Sequence, residues 1–263
     1  MDKASAAAEW LLQAHEQRKP FEPLPERLAP RGADEAYAIQ DQFVALRAKK
    51  LGGISGYKIA LSSPAMQKFV GVDRPQAGMI LESTLRRSPA RVRAADYVNL
   101  IVEFEIAVEI GDDLSAADAP FTRERVMQSV GAVMPAIELA DDRNADYSLL
   151  AKHPLELIAD NSWNEGAVLG APVKEWKSLD LAAVRGVASI NGQRVGEGRG
   201  ADALGHPFDA LAWVCNHLAS LGRGLLRKEV VITGSLITTK AVKAGDRVQF
   251  SLDGLGEVAL QID

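Results

Sequence analysis

Residues 101–110 read "IVEFEIAVEI", a stretch that alternates with a period of two. Val102, Phe104, Ile106, Val108 and Ile110 share one face of an extended chain, and Glu103, Glu105 and Glu109 fall on the other. The apolar series predicts a strand laid against a core. The acidic series has two readings. An antiparallel strand often turns one polar face to water. Alternatively, Glu103 and Glu105, about 7 Å apart along a strand, bring two carboxylates close enough to share one cation.

Two neighbouring segments bear on that choice. "VMPAIELADDR" at 133–143 carries Glu138 inside an apolar run, and "GYKIALS" at 56–62 carries Lys58 among small residues. A buried strand prefers no charge at such places unless the charge is paired or functional. Three carboxylates with no histidine or cysteine beside them form an oxygen-only donor set, which suits Mg2+ or Mn2+ and is poor for zinc. Glu109, further along, reads as a solvated or ion-paired residue.

The remaining pattern is mixed. Helices are expected over 4–18 and 34–50, joined by the proline-punctuated connector "KPFEPLPERLAPRG". A helix near 122–133 precedes a strand at "MPAIELA", and a helix over 208–221 begins after Pro207 and ends at Gly222. "VASINGQRV" at 187–195 reads as a hairpin turning at Asn191-Gly192. "EVVITGS", "DRVQFSL" and "EVALQI" are three short strands separated by glycine turns. This order predicts an α+β chain with a mixed, mostly antiparallel sheet rather than a βαβ array. A small helical region over 1–55 is expected to precede the β-rich domain over 56–263.

Composition excludes several classes. At 263 residues, 47% hydrophobic and 25% charged, the chain can bury a sizeable core. A net charge of −5 and the lack of a basic run disfavour nucleic acid. The single cysteine, Cys215, leaves no disulfide or cysteine metal site, and a reducing compartment is expected. No segment approaches a membrane span or signal peptide, so the expectation is a cytoplasmic protein. His15, His153, His206 and His217 lack metal-ligand spacing and read as surface or cap residues. "GEGRG" at 196–200 follows a hairpin and is no phosphate loop, and no Gly-x-Ser-x-Gly elbow is present.

The ordered set "GYKIALSSPAMQKFVGVDRPQAGMI", "EFEIAVEI", "PAIELADDR", "LIADNSWNEGAVLG", "GHPFDALAWVCNHLASLG" and "VVITGS" resembles the 2-keto-4-pentenoate hydratase and 4-oxalocrotonate decarboxylase group of the fumarylacetoacetate hydrolase superfamily, over roughly residues 35–263. The resemblance implies a twisted β-roll in which Glu103, Glu105 and Glu138 hold Mg2+ or Mn2+. It makes Lys58 the catalytic candidate and places Asp160, Asn161, Ser162 and Ser235 beside the substrate. The implied reaction is hydration of a 2-hydroxy-2,4-dienoate to a 4-hydroxy-2-oxo acid through an enolate held on the metal. Decarboxylation of a 4-oxalocrotonate-type acid is the alternative, for which Arg74 or Arg143 would meet the second carboxylate. An inactive metal-binding partner of such enzymes is the reading from another class. A carbon–carbon hydrolase would need a histidine beside the metal, and His15 would have to be brought in by the N-terminal segment. A homo-oligomer is expected, or association with a pathway decarboxylase or hydratase. The chain departs from the group at "ADNSW", where Trp163 replaces a usual serine, and at "PQAG", where Gln76 stands for a frequent acid; both are expected near the pocket.

Overall fold

The computed structural model describes residues 2–263. Two helices open the chain, α1 (Lys3–Glu16) and α2 (Ala33–Leu51). Asp2 caps α1 by accepting from the Ser5 N–H, and Gly52, at φ 84°, ends α2 in a conformation that favours glycine. Ala7, Ala8 and Leu11 of α1 pack with Ile39 and Phe43 of α2 and with Ala159, so the helical pair is fastened to the body that follows.

Thirteen strands make that body: β1 (Ile54–Ala60), β2 (Gln76–Leu81), β3 (Leu85–Arg87), β4 (Ala90–Val92), β5 (Leu100–Ile110), β6 (Val130–Asp141), β7 (Asn164–Leu169), β8 (Arg185–Ile190), β9 (Gln193–Arg199), β10 (Val230–Ser235), β11 (Lys240–Ala241), β12 (Arg247–Leu252) and β13 (Gly256–Ile262). Four more helices punctuate them: α3 (Pro64–Val70), α4 (Arg123–Met127), α5 (Pro154–Ala159) and α6 (Pro207–Ser220). One sheet runs β2-β1-β10-β5-β6-β7-β3, with β11 pairing on β5; the other runs β4-β13-β12-β8-β9. The β1–β10, β3–β7 and β4–β13 pairs are parallel and the rest antiparallel, the mixed α+β arrangement expected from the sequence.

The period-two pattern of β5 decides how the layers stack. Val102, Phe104, Ile106, Val108 and Ile110 join Phe250, Val258 and Leu260 of the second sheet and Phe208, Leu211 and Val214 of α6 in the main core. The opposite face is not solvated. There Ala107, Met134, Ala136, Ala167, Leu169, Val230, Ile232 and Ile80 form a second, small-residued core. β2, at one edge of the sheet, packs back against β7 near the other, so the sheet curls and encloses that face. Register places Lys58 beside Ile232, and Glu103 beside Glu138, on the enclosed side.

The helix expected to reach residue 133 is shorter. Thr122 caps α4, which ends at Met127, and β6 already begins at Val130. Gly131 lies so close to Gly111 that a Cβ there would stand 3.0 Å from the Gly111 Cα, a contact made across paired strands. The β-branched Val130 and Val133 favour the extended chain as well. The hairpin turn at Asn191-Gly192 forms as expected, with φ of 54° and 77°.

Candidate metal and substrate site

Glu103 and Glu105 project from β5 and Glu138 from β6, and one carboxylate oxygen of each lies within 4.8 Å of the others. Each has a distinct environment. Glu103, partly exposed, accepts a hydrogen bond from Thr239 Oγ1 at 2.7 Å. Glu105 is fully buried and its Oε2 accepts from the Gly234 N–H at 2.6 Å. Gly234 has φ 103°, and a Cβ there would strike Ser62 Oγ at 2.4 Å, so glycine alone permits that amide to face Glu105. Glu138, also fully buried, accepts from Asn164 Nδ2 at 2.9 Å and lies 3.1 Å from Lys58 Nζ.

Burial and mutual repulsion govern the charges. Burial, then the neighbouring Glu138 and Glu103, push the Glu105 carboxyl well above the ordinary carboxylate range, against the pull of Lys58 and the Gly234 amide. Glu138 is also raised, chiefly by burial, with Lys58 opposing. For Lys58, burial works against the ammonium, but Glu138, Glu103 and Glu105 together outweigh it and hold the group above its usual value. Glu105 Oε1 and Glu138 Oε2 are buried without any hydrogen-bond partner. Orphaned carboxylate oxygens are costly, and an oxygen-ligated divalent ion is the partner their chemistry fits. The polar-face reading of β5 is thereby excluded for Glu105.

Lys58 and Glu103 line a cavity of about 420 Å³, bounded also by Ser62, Ser162, Trp163, Ser235 and Thr239. Ser235 Oγ accepts from the Phe104 N–H and donates to the Ile237 carbonyl. Ser162 Oγ is buried without a partner. Asp160 and Asn161 are not on this wall. Asn161 clasps β2, accepting from the Met79 N–H at 2.7 Å and donating to the Met79 carbonyl at 2.8 Å. Asp160 is buried between His15 Nε2, at 2.6 Å, and the Arg143 guanidinium. Burial would raise its carboxyl, but Arg143 and His15 hold it below the usual range.

These anchors hold an unusual turn. Asn161, Ser162 and Trp163 have φ of 52°, 49° and 59°, three successive non-glycine residues in the left-handed region. Each costs about 1–2 kcal/mol, so the conformation persists only where surroundings over-determine it. Besides the Asp160 and Asn161 contacts, Trp163 packs edge-on against Phe21 and Tyr147, at centroid distances of 5.6 and 5.9 Å. The result is that Ser162 and Trp163 both face the cavity.

Several expectations need correction here. Gln76 does not reach this cavity; it donates to the Pro154 carbonyl and lines a separate cleft with Tyr37, Arg74 and Trp213. His15 is no surface residue. It is largely covered and paired with Asp160 and Glu165, and Glu165 is paired in turn with Arg47 at 2.5 Å. Nor does the N-terminal segment carry His15 into the metal cluster. His206 does cap a helix, accepting from the Phe208 N–H at the start of α6. The residues that sequence reasoning missed are Tyr147, which bonds the nearby Asp142, and Thr239, Arg47 and Glu165, whose partners lie more than a hundred residues away. The left-handed turn had one signal in "ADNSW", since asparagine tolerates that region.

Residues 60–263 match the family described as Fumarylacetoacetate (FAA) hydrolase C-terminal. The chain belongs to this family. Similar relatives include 2-keto-4-pentenoate hydratase of Paraburkholderia xenovorans (strain LB400), 31% identical over 98% of this chain and 94% of that protein. Another is 2-hydroxyhexa-2,4-dienoate hydratase of Comamonas testosteroni, 30% identical over 95% of this chain and 94% of that one. Among solved structures, 4-oxalocrotonate decarboxylase from Pseudomonas putida G7, complexed with magnesium and adipate, superposes with a TM-score of 0.90 at 24% identity, covering 99% of this chain and 97% of that one. That likeness establishes the fold. No helix among the described residues is long and apolar enough to cross a membrane.

Proposed function

We propose that this chain hydrates a 2-hydroxy-2,4-dienoate to a 4-hydroxy-2-oxo acid, with Mg2+ or Mn2+ held by Glu103, Glu105 and Glu138. The observation that carries the reading is a buried Lys58 ammonium, 3.1 Å from Glu138, on the wall of the cavity that Glu103 also lines. The names of the relatives, hydratases at about the same identity over nearly the full chain, point the same way. When bound, the ion supplies positive charge that orients the acid by its carboxylate and C2 oxygen and favours charge build-up on that oxygen.

The chain's own groups do the rest. Lys58 Nζ holds a proton beside Glu138 Oε1 and is the acid/base of the wall. In ketonisation, C5 gains a proton as the C2 hydroxyl loses one, leaving a C3=C4 double bond. Water then adds through its oxygen to C4, and the remaining proton reaches C3, directly from Lys58 or by a relaying water. Ser162, whose hydroxyl is free to donate to a ligand, orients the acid head, and Ser235 lines the same cavity with its hydroxyl donated to the Ile237 carbonyl. Asp160 and Asn161 are positioning residues for the turn that presents Ser162.

Hydration is favoured over decarboxylation of a dicarboxylic acid by the charges of the cavity lining. Arg74 lies on the separate cleft with Gln76, and Arg143 is buried against Asp160. Neither faces the cavity, whose one cation is Lys58. The test mixes the protein, Mg2+ and 2-hydroxypenta-2,4-dienoate and follows the diene absorbance. Metal-dependent loss supports hydration; no loss, with CO2 released from 4-oxalocrotonate instead, would replace it with decarboxylation.

A further inference from the structure

The cavity has an apolar wall that includes Trp163, Tyr147, Leu150, Leu157, Ile101 and Met66. Ile101, Leu150, Leu157 and Trp163 belong to one buried apolar cluster. The five-carbon parent dienoate has only eight non-hydrogen atoms, and a cavity of about 420 Å³ falls within the roughly 300–1,000 Å³ range of sites for much larger ligands. Space beyond the acid head is therefore left over, and it is apolar.

We infer that this wall is a subsite for an apolar substituent on C5 of the dienoate, with Trp163 as its main specificity determinant. The inference rests on the hydratase reading for the reaction, but the subsite itself is argued from the wall. Three features of charge and shape support it. The charged residues lining the cavity are Lys58, Glu103 and Asp202, one cation against two anions, and Lys58 is engaged with Glu138. The Tyr147 hydroxyl is already spent, donating to Asp142 Oδ2 at 2.9 Å, which places a buried carboxylate just behind the wall. A carboxylate tail would lose its water with no cation to receive it. The two unpartnered polar atoms on the cavity, Trp163 Nε1 and Ser162 Oγ, are both neutral and offset no charge.

The left-handed turn fixes the Trp163 indole edge-on to Tyr147 and Phe21. A small side chain there would leave the wall recessed. The indole makes it flat, large and apolar, which suits an alkyl or aryl tail.

The experiment has two readouts on the Mg2+-loaded full chain. Hydration is measured with 2-hydroxy-2,4-dienoates bearing hydrogen, propyl or carboxylate on C5. Binding is measured separately, by tryptophan fluorescence and calorimetry, with the unreactive 2-oxooctanoate and 2-oxoadipate. Each buried methylene is worth about fourfold, so the propyl substrate should exceed the parent in kcat/KM by at least tenfold and the carboxylate substrate by more. 2-Oxooctanoate should bind at least tenfold more tightly than 2-oxoadipate. Trp163→Ala should collapse both ratios towards one. Met66→Arg, at a partly exposed rim position that tolerates charge, should shift both at least fivefold towards the carboxylate ligands. Equal or better use of the carboxylate-tailed ligands by the wild type would overturn the subsite. Absence of any hydration, with the binding preference intact, would sink the reaction and leave the subsite standing.

Discussion

Glu105→Gln should make the metal-free protein more stable and the metal-loaded protein less so. In the absence of an ion, Glu105 is fully buried, its Oε1 has no partner, and Glu138 and Glu103 repel it. Glutamine keeps a carbonyl for the Gly234 N–H and removes the charge. Relief of one poorly satisfied buried group is worth about 1–3 kcal/mol, or a rise of about 2–12 °C in Tm at 2–4 °C per kcal/mol for a chain of this size. The sign with pH is fixed by the raised carboxyl: the folded state keeps its proton after the unfolded chain has lost it, so metal-free stability falls as pH rises above about 4.3. The advantage of glutamine is therefore largest at neutral and higher pH. With Mg2+ at one hundred times its Kd, the wild type gains about 2.7 kcal/mol, and a variant lacking one of three ligands forfeits most of it. Scanning calorimetry of both proteins with Mg2+ and with a chelator should give curves that cross in rank. A variant that melts below the wild type by the same margin in both conditions would refute the reasoning.

Three further expectations follow from the same contacts. Lys58→Met should lower kcat by about 10²–10⁴ while Mn2+ still binds, as measured by turnover beside metal titration; an unchanged kcat would remove Lys58 from the chemistry. Asn161→Ala deletes two buried hydrogen bonds to Met79 and sets alanine at φ 52°. It should cost about 2–4 kcal/mol in urea unfolding, and a loss under 1 kcal/mol would show the clasp to be dispensable. The His15–Glu165–Arg47 cluster should stabilise the fold most between pH about 4.5 and 6.5. Burial opposes the Glu165 charge, but Arg47 and His15 bring its carboxyl down to about 2, so its contribution is present above about 4.5 and fades as pH falls towards 2. Burial lowers His15, yet Asp160 and Glu165 leave it net raised, so its contribution is full below about 6.5 and is lost as pH rises through the elevated value. The stability difference between wild type and His15→Gln, measured from pH 3 to 9, should peak inside that window; a flat difference would contradict it.

The period of two in β5 made the strand and its core face legible, but whether its acids faced water or an ion was settled only by the enclosure of the second face. Lys58 and Glu138 were legible as lone charges in apolar strands. What could not be read was contact across long separations. His15 and Asp160 are 145 residues apart, and nothing local to either marks the other as a partner. Asp160 and Asn161 were expected beside the substrate on family resemblance, but their side chains are occupied in holding the turn, a role that needs the positions of Arg143 and Met79 to recognise. The overlong α4 has a local cause. Gln128 and Ser129 form the turn that follows it, and pairing with β5 settles the chain from Val130 onward as strand.

The account stands on one divalent ion shared by three carboxylates, and Mn2+ titration followed by electron paramagnetic resonance tests it most directly. The prediction is a single saturable Mn2+ per chain, displaced by Mg2+, and lost in Glu138→Gln and in Glu103→Gln. Free Mn2+ signal rising from the first addition, or binding unaffected by either substitution, would contradict it.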